Sequence, residues 1–187
     1  MKLILASASP RRAELLRIAG IPFDAAPAEV DETPHPGEEA RTYALRVARD
    51  KARAAGAAAG ARPVLAADTV VVAGGRILGK PASGGEADAM LRQLSGVTHE
   101  VHTGVVLLAG GEEQAQVITT RVRFASMTDE EIRWYIATGE PDGKAGGYAI
   151  QGFASRFVDH IEGSWANVVG LPVAAVYRML RRAGVIC

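Results

Sequence analysis

Residues 64–73 read Val-Leu-Ala-Ala-Asp-Thr-Val-Val-Val-Ala, an apolar run interrupted by a single carboxylate. The run ends at Gly74-Gly75, so it predicts a buried strand followed by a tight turn. An ionised carboxylate in a buried strand is costly unless it is paired or bound to a metal. Strand residues continue on both sides of Asp68, so helix capping does not explain it. Asp68 is therefore the best single candidate for a catalytic group.

Outward from this strand, helix and strand patterns alternate along the chain. Ser9-Pro10 predicts an N-cap followed by proline at the first helical position, and Gly20 ends that helix. The order predicts an α/β fold with a mixed central sheet and flanking helices, formed by a single domain over residues 1–187. Further strands are predicted over residues 2–6, 77–78, 100–108, 116–124 and 148–161, and further helices over residues 38–58, 86–94, 128–138 and 172–182.

The composition excludes several classes of protein. Hydrophobic residues make up 48% of the 187 residues, and 21 basic residues balance 21 acidic ones. A general nucleic-acid binder usually carries a basic surplus, which is missing here. The apolar runs are too short to span a bilayer, and the one at the start is too short for a secretory signal. We therefore expect a cytoplasmic protein with no membrane partner. The single cysteine, Cys187, excludes an internal disulfide.

Arg11 and Arg12 lie in the opening turn of the first predicted helix, where positive charge opposes the helix dipole. Free backbone N–H groups together with two guanidinium groups form a phosphate site. The alternative is that both arginines point to solvent, as most charged pairs do. The strand, the serine-rich turn and the helix that follows favour phosphate binding.

Lys51 lies on the inward face of the second predicted helix, one turn after Val47 and one turn before Ala55. A lysine whose aliphatic stem covers the edge of the apolar stripe is the alternative to a functional role. Lys80 follows a glycine that completes the first part of a phosphate-binding loop pattern, but Pro81 replaces the hydroxyl residue that would hold magnesium. Lys80 remains a candidate phosphate ligand.

The remaining candidates are weaker. Glu32 follows Asp31 in a predicted loop, where acidic residues are commonly just solvated. His99 and His102 are three residues apart on a predicted strand, so they point to opposite faces and do not suit one zinc ion. The cations together with Glu32 and Asp68 match what cleavage of a phosphoanhydride requires: positive groups for phosphate oxygens, a divalent ion and a base for water.

Short motifs in a fixed order extend over nearly the whole chain. Together they resemble the Maf (septum-formation) family of nucleotide pyrophosphatases. The residues that carry the resemblance are Ser7-Ala-Ser-Pro-Arg-Arg12, Asp31-Glu32, Lys51, Ala67-Asp-Thr69, Gly79-Lys-Pro81, Leu94-Ser-Gly96, Lys144-Ala-Gly146, Ala149-Ile-Gln-Gly152 and Val169-Gly-Leu-Pro172.

The resemblance implies a mixed α/β fold of two lobes around an active-site cleft, usually as a homodimer. It implies that Asp68 is the general base for water attack at the α-phosphorus, and that Glu32 and Asp68 bind Mg²⁺ or Mn²⁺. Four residues would hold the phosphates and three would select the base of dTTP, UTP and modified uridine triphosphates. The four are Ser9, Arg12, Lys51 and Lys80, and the three are Arg11, Thr69 and Gln151.

Three other functions are compatible with parts of the sequence. A branch of the same family acts on 7-methyl-GTP, but Arg11 and Gln151 argue against it. A nucleotide sensor or regulator of cell division would bind without turnover, but a sensor has no need of the base Asp68. A nucleic-acid-binding module lacks both the basic surplus and an aromatic–basic stripe.

Overall fold

A computed structural model describes residues 2–186 of the chain, so Cys187, for which the sequence indicated no role, lies outside the described residues. The apolar runs form strands and the amphipathic runs form helices, in the order that the sequence predicted for most of the chain. The strands are β1 (Leu3–Leu5), β2 (Phe23–Ala25), β3 (Val64–Ala73), β4 (Arg76–Leu78), β5 (Thr98–Ala109), β6 (Glu112–Phe124) and β7 (Val158–Glu162). The helices are α1 (Pro10–Ile18), α2 (Ala40–Gly56), α3 (Gly84–Leu94), α4 (Asp129–Ala137), α5 (Trp165–Val169) and α6 (Val173–Arg182).

Within residues 2–186 the strands form one seven-stranded sheet in the order β2-β1-β3-β5-β6-β7, with β4 paired to β3. Strand β1 runs parallel to both β2 and β3, whereas β4 is antiparallel to β3 and β7 is antiparallel to β6. The sheet is therefore mixed, and the predicted α/β class is confirmed. The observed β3 has the predicted bounds, because its apolar run and its Gly-Gly turn agree.

The sequence was wrong over residues 148–161, where it predicted strand. Within this stretch, residues 148–152 are irregular and turn backbone, Phe153–Phe157 is a 3-10 helix, and only residues 158–161 belong to β7. The Gly152 N–H donates to the carbonyl oxygen of Ala149 at 3.0 Å, which closes a turn where the strand was predicted. A second 3-10 helix, Ala145–Gly147, directly precedes the stretch. The prediction also omitted the short elements β2 and α5.

The described residues fall into two compact units. The first unit comprises the residues up to Asp68, Thr103–Ile118 and those from Gly170 onward. The second comprises Thr69–His102 and Thr119–Val169. Because each unit draws on separate stretches of sequence, both depend on contacts between residues that are distant along the chain.

In the first unit, helix α2 packs on the sheet through small side chains. Their small size lets the helix backbone approach the strands, most closely at Gly104, where a Cβ atom would lie 2.5 Å from the carbonyl carbon of Ala44. Ala48 and Ala52 of α2 and Ala59 just after it thus form the contact surface between the helix and the sheet. The buried residues of this cluster are Ile4, Ala6, Ala48, Ala52, Ala59, Val64, Ala66 and Val106.

Candidate functional site

Asp68 and Lys51 form a buried ion pair in the first unit. Asp68 is 8% exposed and Lys51 is 7% exposed, and the Lys51 Nζ donates a hydrogen bond of 2.8 Å to Asp68 Oδ1. The sequence predicted both that Asp68 needs a partner and that Lys51 faces inward, and the structure confirms both. Since charged side chains are buried only when they are paired, this ion pair accounts for the carboxylate in β3.

Glu32 is the second carboxylate that contacts the Lys51 ammonium group, so the cluster consists of one cation and two carboxylates. Its Oε1 lies 2.6 Å from Lys51 Nζ, and its side chain is 41% exposed. The main chain is fixed at this position, because the Tyr43 hydroxyl donates a hydrogen bond of 2.7 Å to the carbonyl oxygen of Glu32. Glu32 is therefore not merely solvated. Two carboxylates, one of them open to solvent, converge on one cation.

The loop that carries Glu32 is held against helix α2 by an arginine. Arg46 donates hydrogen bonds of 2.7 and 2.8 Å to the two carboxylate oxygens of Glu38, and a third of 3.1 Å to the carbonyl oxygen of Thr33. A bidentate arginine–carboxylate pair fixes direction as well as distance. This contact lowers the pKa of Glu38 to about 2. The contacts of Arg46 with Glu38 and Thr33 therefore hold the Glu32 loop against helix α2.

Arg12 is held rigidly at the start of α1. Its Nε donates to the carbonyl oxygen of Gly170 at 2.8 Å, and its Nη1 donates to the Ser7 hydroxyl oxygen at 3.0 Å. Burial lowers the pKa of Arg12, an effect that the negative charges of Asp68 and Glu32 oppose. The guanidinium is therefore buried and held by Gly170 and Ser7, within range of the charges of Asp68 and Glu32, and is not directed to solvent as in the alternative interpretation.

Ser9 and Arg11 lie beside Arg12 and are both half-buried. Ser9 occupies the predicted N-cap position of α1, but its side chain makes no capping hydrogen bond, which corrects that part of the prediction. Instead, the Ser9 backbone N–H donates to the Ser7 hydroxyl oxygen at 3.2 Å. Burial lowers the pKa of Arg11. The Ser9 hydroxyl is thus not committed to the helix that it precedes.

The other three predicted site residues belong to the second unit. Thr69 follows Asp68 directly in β3 and is half-buried. Lys80 is exposed just beyond β4, and the N–H of Gly146 donates to the carbonyl oxygen of the neighbouring Gly79 at 2.9 Å. Gln151 is exposed between the two 3-10 helices. The structure thus brings Glu32, Lys51 and Asp68 into one cluster in the first unit. Thr69, Lys80 and Gln151 belong to the second unit.

The histidines of β5 have structural partners. His99 Nε2 lies 2.8 Å from the Tyr148 hydroxyl, and burial lowers the pKa of His99 to about 4. His102 Nδ1 lies 2.9 Å from the Thr119 hydroxyl. The two rings contact different partners. Among residues 2–186 no group of three or more histidine, cysteine, aspartate or glutamate residues could hold a metal ion.

Three contacts of the site were missed by reasoning from the sequence. Ser7 and Gly170 hold Arg12, and Tyr43 holds the main chain at Glu32. Tyr43 precedes Lys51 by eight residues in α2, a spacing that puts both side chains on the inward face of the helix. That spacing was a usable signal. Nothing local to Gly170 indicates that its carbonyl oxygen contacts Arg12.

Comparison with known proteins gives consistent matches over nearly the full chain. The model of the family described as "Maf-like protein" matches residues 2–183. A protein of Koribacter versatilis named dTTP/UTP pyrophosphatase is 56% identical over 186 residues, which cover 100% of this chain and 96% of that protein. Proteins of the same name from Anaeromyxobacter dehalogenans and Myxococcus xanthus are 53% and 50% identical, covering 98% and 97% of this chain and 94% and 92% of theirs.

Among solved structures, the Ham1 protein of Staphylococcus aureus shares the fold. The match has a TM-score of 0.57 with 12% sequence identity, and it covers 97% of this chain and 99% of that one. At this identity the likeness concerns the fold alone. None of the described helices has both the length and the apolar character needed to cross a membrane.

Proposed function

This chain belongs to the Maf-like protein family, and we propose that it hydrolyses dTTP and UTP to the nucleoside monophosphate and pyrophosphate. The names of the relatives confirm the predicted class of enzyme, a nucleoside triphosphate pyrophosphatase. They also specify the two pyrimidine nucleotides, which supports the proposed substrates. Modified uridine triphosphates belong to the same proposal, because they differ from UTP by small groups on the same ring.

The observation that carries the proposal is the buried Asp68 carboxylate beside Lys51 Nζ. In the proposed reaction, a water oxygen attacks the α-phosphorus and Asp68 accepts the proton that the water loses. The new bond joins the water oxygen to the α-phosphorus, and the bond from that phosphorus to the α–β bridging oxygen breaks. Pyrophosphate leaves with the electron pair of the broken bond. No covalent intermediate with the protein is required.

We assign the phosphate oxygens to Arg12, Lys51, Lys80 and the Ser9 hydroxyl. Arg12 is suited to this because two of its nitrogens are already held by Gly170 and Ser7, so its guanidinium loses little freedom on binding. Lys51 carries the positive charge that pairs with both Glu32 and Asp68 in the free protein. A bound triphosphate would offer the same ammonium group further acceptors.

The residues present fit a divalent cation. Glu32 and Asp68 both lie within 2.8 Å of one ammonium nitrogen, so their oxygens converge on one small region. Mg²⁺ is commonly bound by one or two carboxylates together with substrate phosphates and waters, and a cage of three protein ligands is not needed. We propose that Glu32 and Asp68 bind Mg²⁺ or Mn²⁺ with the substrate. When bound, the ion would neutralise charge on the phosphate oxygens.

We assign base selectivity to Arg11, Thr69 and Gln151. Gln151 has an exposed amide side chain with both a donor and an acceptor, as recognition of a pyrimidine ring edge requires. A site that hydrogen-bonds a substrate group rejects analogues that lack it more strongly than an apolar pocket does. Gln151 is therefore the residue of the three that we expect to affect base preference most.

For the whole protein, we propose one functional domain that acts in the cytoplasm as a homodimer, with no nucleic-acid or membrane partner. Residues of both units carry assigned roles, with Asp68 in the first and the adjacent Thr69 in the second. Removal of unwanted nucleotides before their incorporation is the proposed physiological role. A link to septum formation is part of the same proposal.

The test is pyrophosphate release from a panel of nucleoside triphosphates, with Mg²⁺, with Mn²⁺ and with a chelator. We expect metal-dependent release from dTTP and UTP in preference to CTP, GTP and ATP. Release from 7-methyl-GTP instead would reject the pyrimidine assignment. Tight nucleotide binding without turnover under every metal condition would reject hydrolysis and favour the sensor.

A further inference from the structure

The residues around Gln151, here called the Gln151 segment (residues 149–154), are anchored at both ends in the second unit. At one end the N–H of Ala149 donates to the Tyr135 hydroxyl oxygen at 3.3 Å. At the other end the N–H groups of Phe153 and Ala154 donate to the two carboxylate oxygens of Glu140 at 2.9 and 3.0 Å. Gln151 is thus presented from a short loop with fixed ends.

The two anchors are joined to each other. The Tyr135 hydroxyl donates a hydrogen bond of 2.8 Å to Glu140 Oε1, and Tyr135 is fully buried. Burial, with the Glu140 hydrogen bond adding to it, raises the pKa of Tyr135, so the hydroxyl keeps its proton. Glu140 is fixed in turn by Thr138, whose hydroxyl oxygen accepts from the Glu140 N–H at 3.1 Å. One carboxylate therefore links the end of α4 to the whole segment.

The segment is also shaped to fit this carboxylate. A Cβ atom added to Gly152 would overlap the carboxylate of Glu140, so only glycine fits at this position without moving it. The Gly152 N–H donates to the carbonyl oxygen of Ala149 at 3.0 Å and closes the turn that contains Gln151. The Glu140 carboxylate thus accepts hydrogen bonds from Tyr135, Phe153 and Ala154, and it also lies against Gly152 where no side chain would fit.

We propose that Glu140 is a positioning residue that sets nucleobase selectivity by holding the Gln151 segment in one conformation. The inference rests on the proposed role of Gln151 in base recognition. A glutamine side chain has several rotatable bonds, so it discriminates between bases only if its backbone is fixed within a fraction of an ångström. Glu140 provides that constraint through its carboxylate and is assigned no contact with the substrate.

The test compares Glu140→Gln with the wild type. The carboxylate accepts three hydrogen bonds, whereas an amide presents an NH₂ group to at least one of the same donors. We expect the ratio of kcat/KM for dTTP to kcat/KM for CTP to fall about tenfold. We also expect Gln151→Ala to lower the same ratio, and the double variant to lose little beyond either single one.

Glu130→Gln is the matched control, because Glu130 is an exposed glutamate in the first turn of the same helix α4. It should keep the wild-type ratio. Amide hydrogen exchange over residues 149–154 should accelerate in Glu140→Gln and stay unchanged in the control. If Glu140→Gln does not fold cooperatively, Gly152→Ala tests the same contact from the segment, and it should reduce the ratio in the same way.

Unchanged selectivity in a folded Glu140→Gln variant would overturn the inference, as would additive losses in the double variant. Either result leaves the proposed function standing if the wild type prefers dTTP. Absence of pyrophosphate release by the wild type from every nucleotide would instead reject the proposed function, and with it the role of Glu140. Measurements on the wild type and the variants together therefore distinguish a failure of the inference about Glu140 from a failure of the proposed function.

Discussion

At the scale of single residues, the central feature is that one lysine pairs with two carboxylates. Lys51 Nζ contacts Asp68 and Glu32, and Asp68 lies within an otherwise apolar strand. Burial of charges costs free energy that pairing only partly offsets, so such a cluster is weak evidence of a role in stability. The proposed role of Asp68 as a general base is a reason for a carboxylate in this strand that does not depend on stability.

Asp68→Asn should separate binding from turnover. An amide keeps the shape of the carboxylate but is a far weaker base, so we expect kcat to fall by roughly 10²-fold or more, as losses of a general base do. The nucleotide Kd should change little when it is measured by titration calorimetry without divalent cations, because the loss of a proposed metal ligand then has no effect on it. Asp88→Asn, on the surface of α3 beside Arg92, is the control and should keep wild-type kcat. Near-normal turnover by Asp68→Asn would remove Asp68 from the mechanism.

Lys51→Met should destabilise the fold. It leaves the buried Asp68 and the nearby Glu32 without their shared cation, and removal of one partner from a buried ion pair costs about 3–5 kcal/mol. Urea unfolding at pH 7 measures the loss. Lys2→Met is the control, because the pair of Lys2 and Asp24 is about half exposed and screened by solvent, so its loss should change the stability little. Equal losses in the two variants would contradict the burial argument.

At the scale of elements, helix α2 determines where Lys51 lies. The helix packs closely on the sheet through alanines, and Gly104 of β5 lies where the backbones approach most closely. Larger residues on either side would lift the helix from the sheet. The position of the ammonium group therefore depends on small residues that have no chemical role themselves.

Gly104→Ala should destabilise the protein and weaken catalysis together. The new Cβ atom would lie 2.5 Å from the carbonyl carbon of Ala44 and 2.7 Å from the Cα of Leu45, so backbone must move. Overpacking of this kind costs about 1–3 kcal/mol. Gly85→Ala in α3, which meets no atom closer than 3.8 Å, is the control and should be neutral or slightly stabilising. Thermal unfolding and KM for dTTP together measure the effect, and unchanged values for both would contradict it.

At the scale of the whole molecule, the two units are interleaved in the sequence. The boundary between them falls inside β3, between Asp68 and Thr69, and β5 and β6 likewise contribute residues to both. The residues with proposed roles up to Asp68 belong to the first unit, and those from Thr69 onward belong to the second. A ligand that binds the folded protein and not the unfolded chain stabilises the protein against unfolding.

Nucleotide and metal should therefore stabilise the protein jointly. Any ligand that binds only the folded state raises the free energy of unfolding, by about 2.7 kcal/mol at a hundredfold excess over its Kd. We expect this with Mg²⁺ for the wild type, which keeps both proposed metal ligands, and for a dTTP analogue with a CH₂ group in place of the α–β bridging oxygen, which the protein cannot cleave. Thermal unfolding with and without a chelator checks it. Equal stabilisation by the analogue in the presence of the chelator would argue against a metal in the complex.

The sequence by itself determined the α/β class, the bounds of β3 and the inward position of Lys51. It also showed that burial of the Asp68 carboxylate costs free energy unless the group has a partner. All of these follow from local patterns, since hydrophobic periodicity fixes which face is buried and a charge on that face needs a partner. The order of short motifs also indicated the family before any contact was known.

Only the tertiary structure decided which partners meet. The hydrogen bond from Arg12 to Gly170 joins residues 158 positions apart, and packing in three dimensions determines such contacts. Residues 148–157 form a turn and a 3-10 helix instead of a strand, because the Gly152 N–H donates to the carbonyl oxygen of Ala149 and the Glu140 carboxylate accepts from the N–H groups of Phe153 and Ala154. Local propensity encodes the elements, whereas the fit between distant segments decides the site.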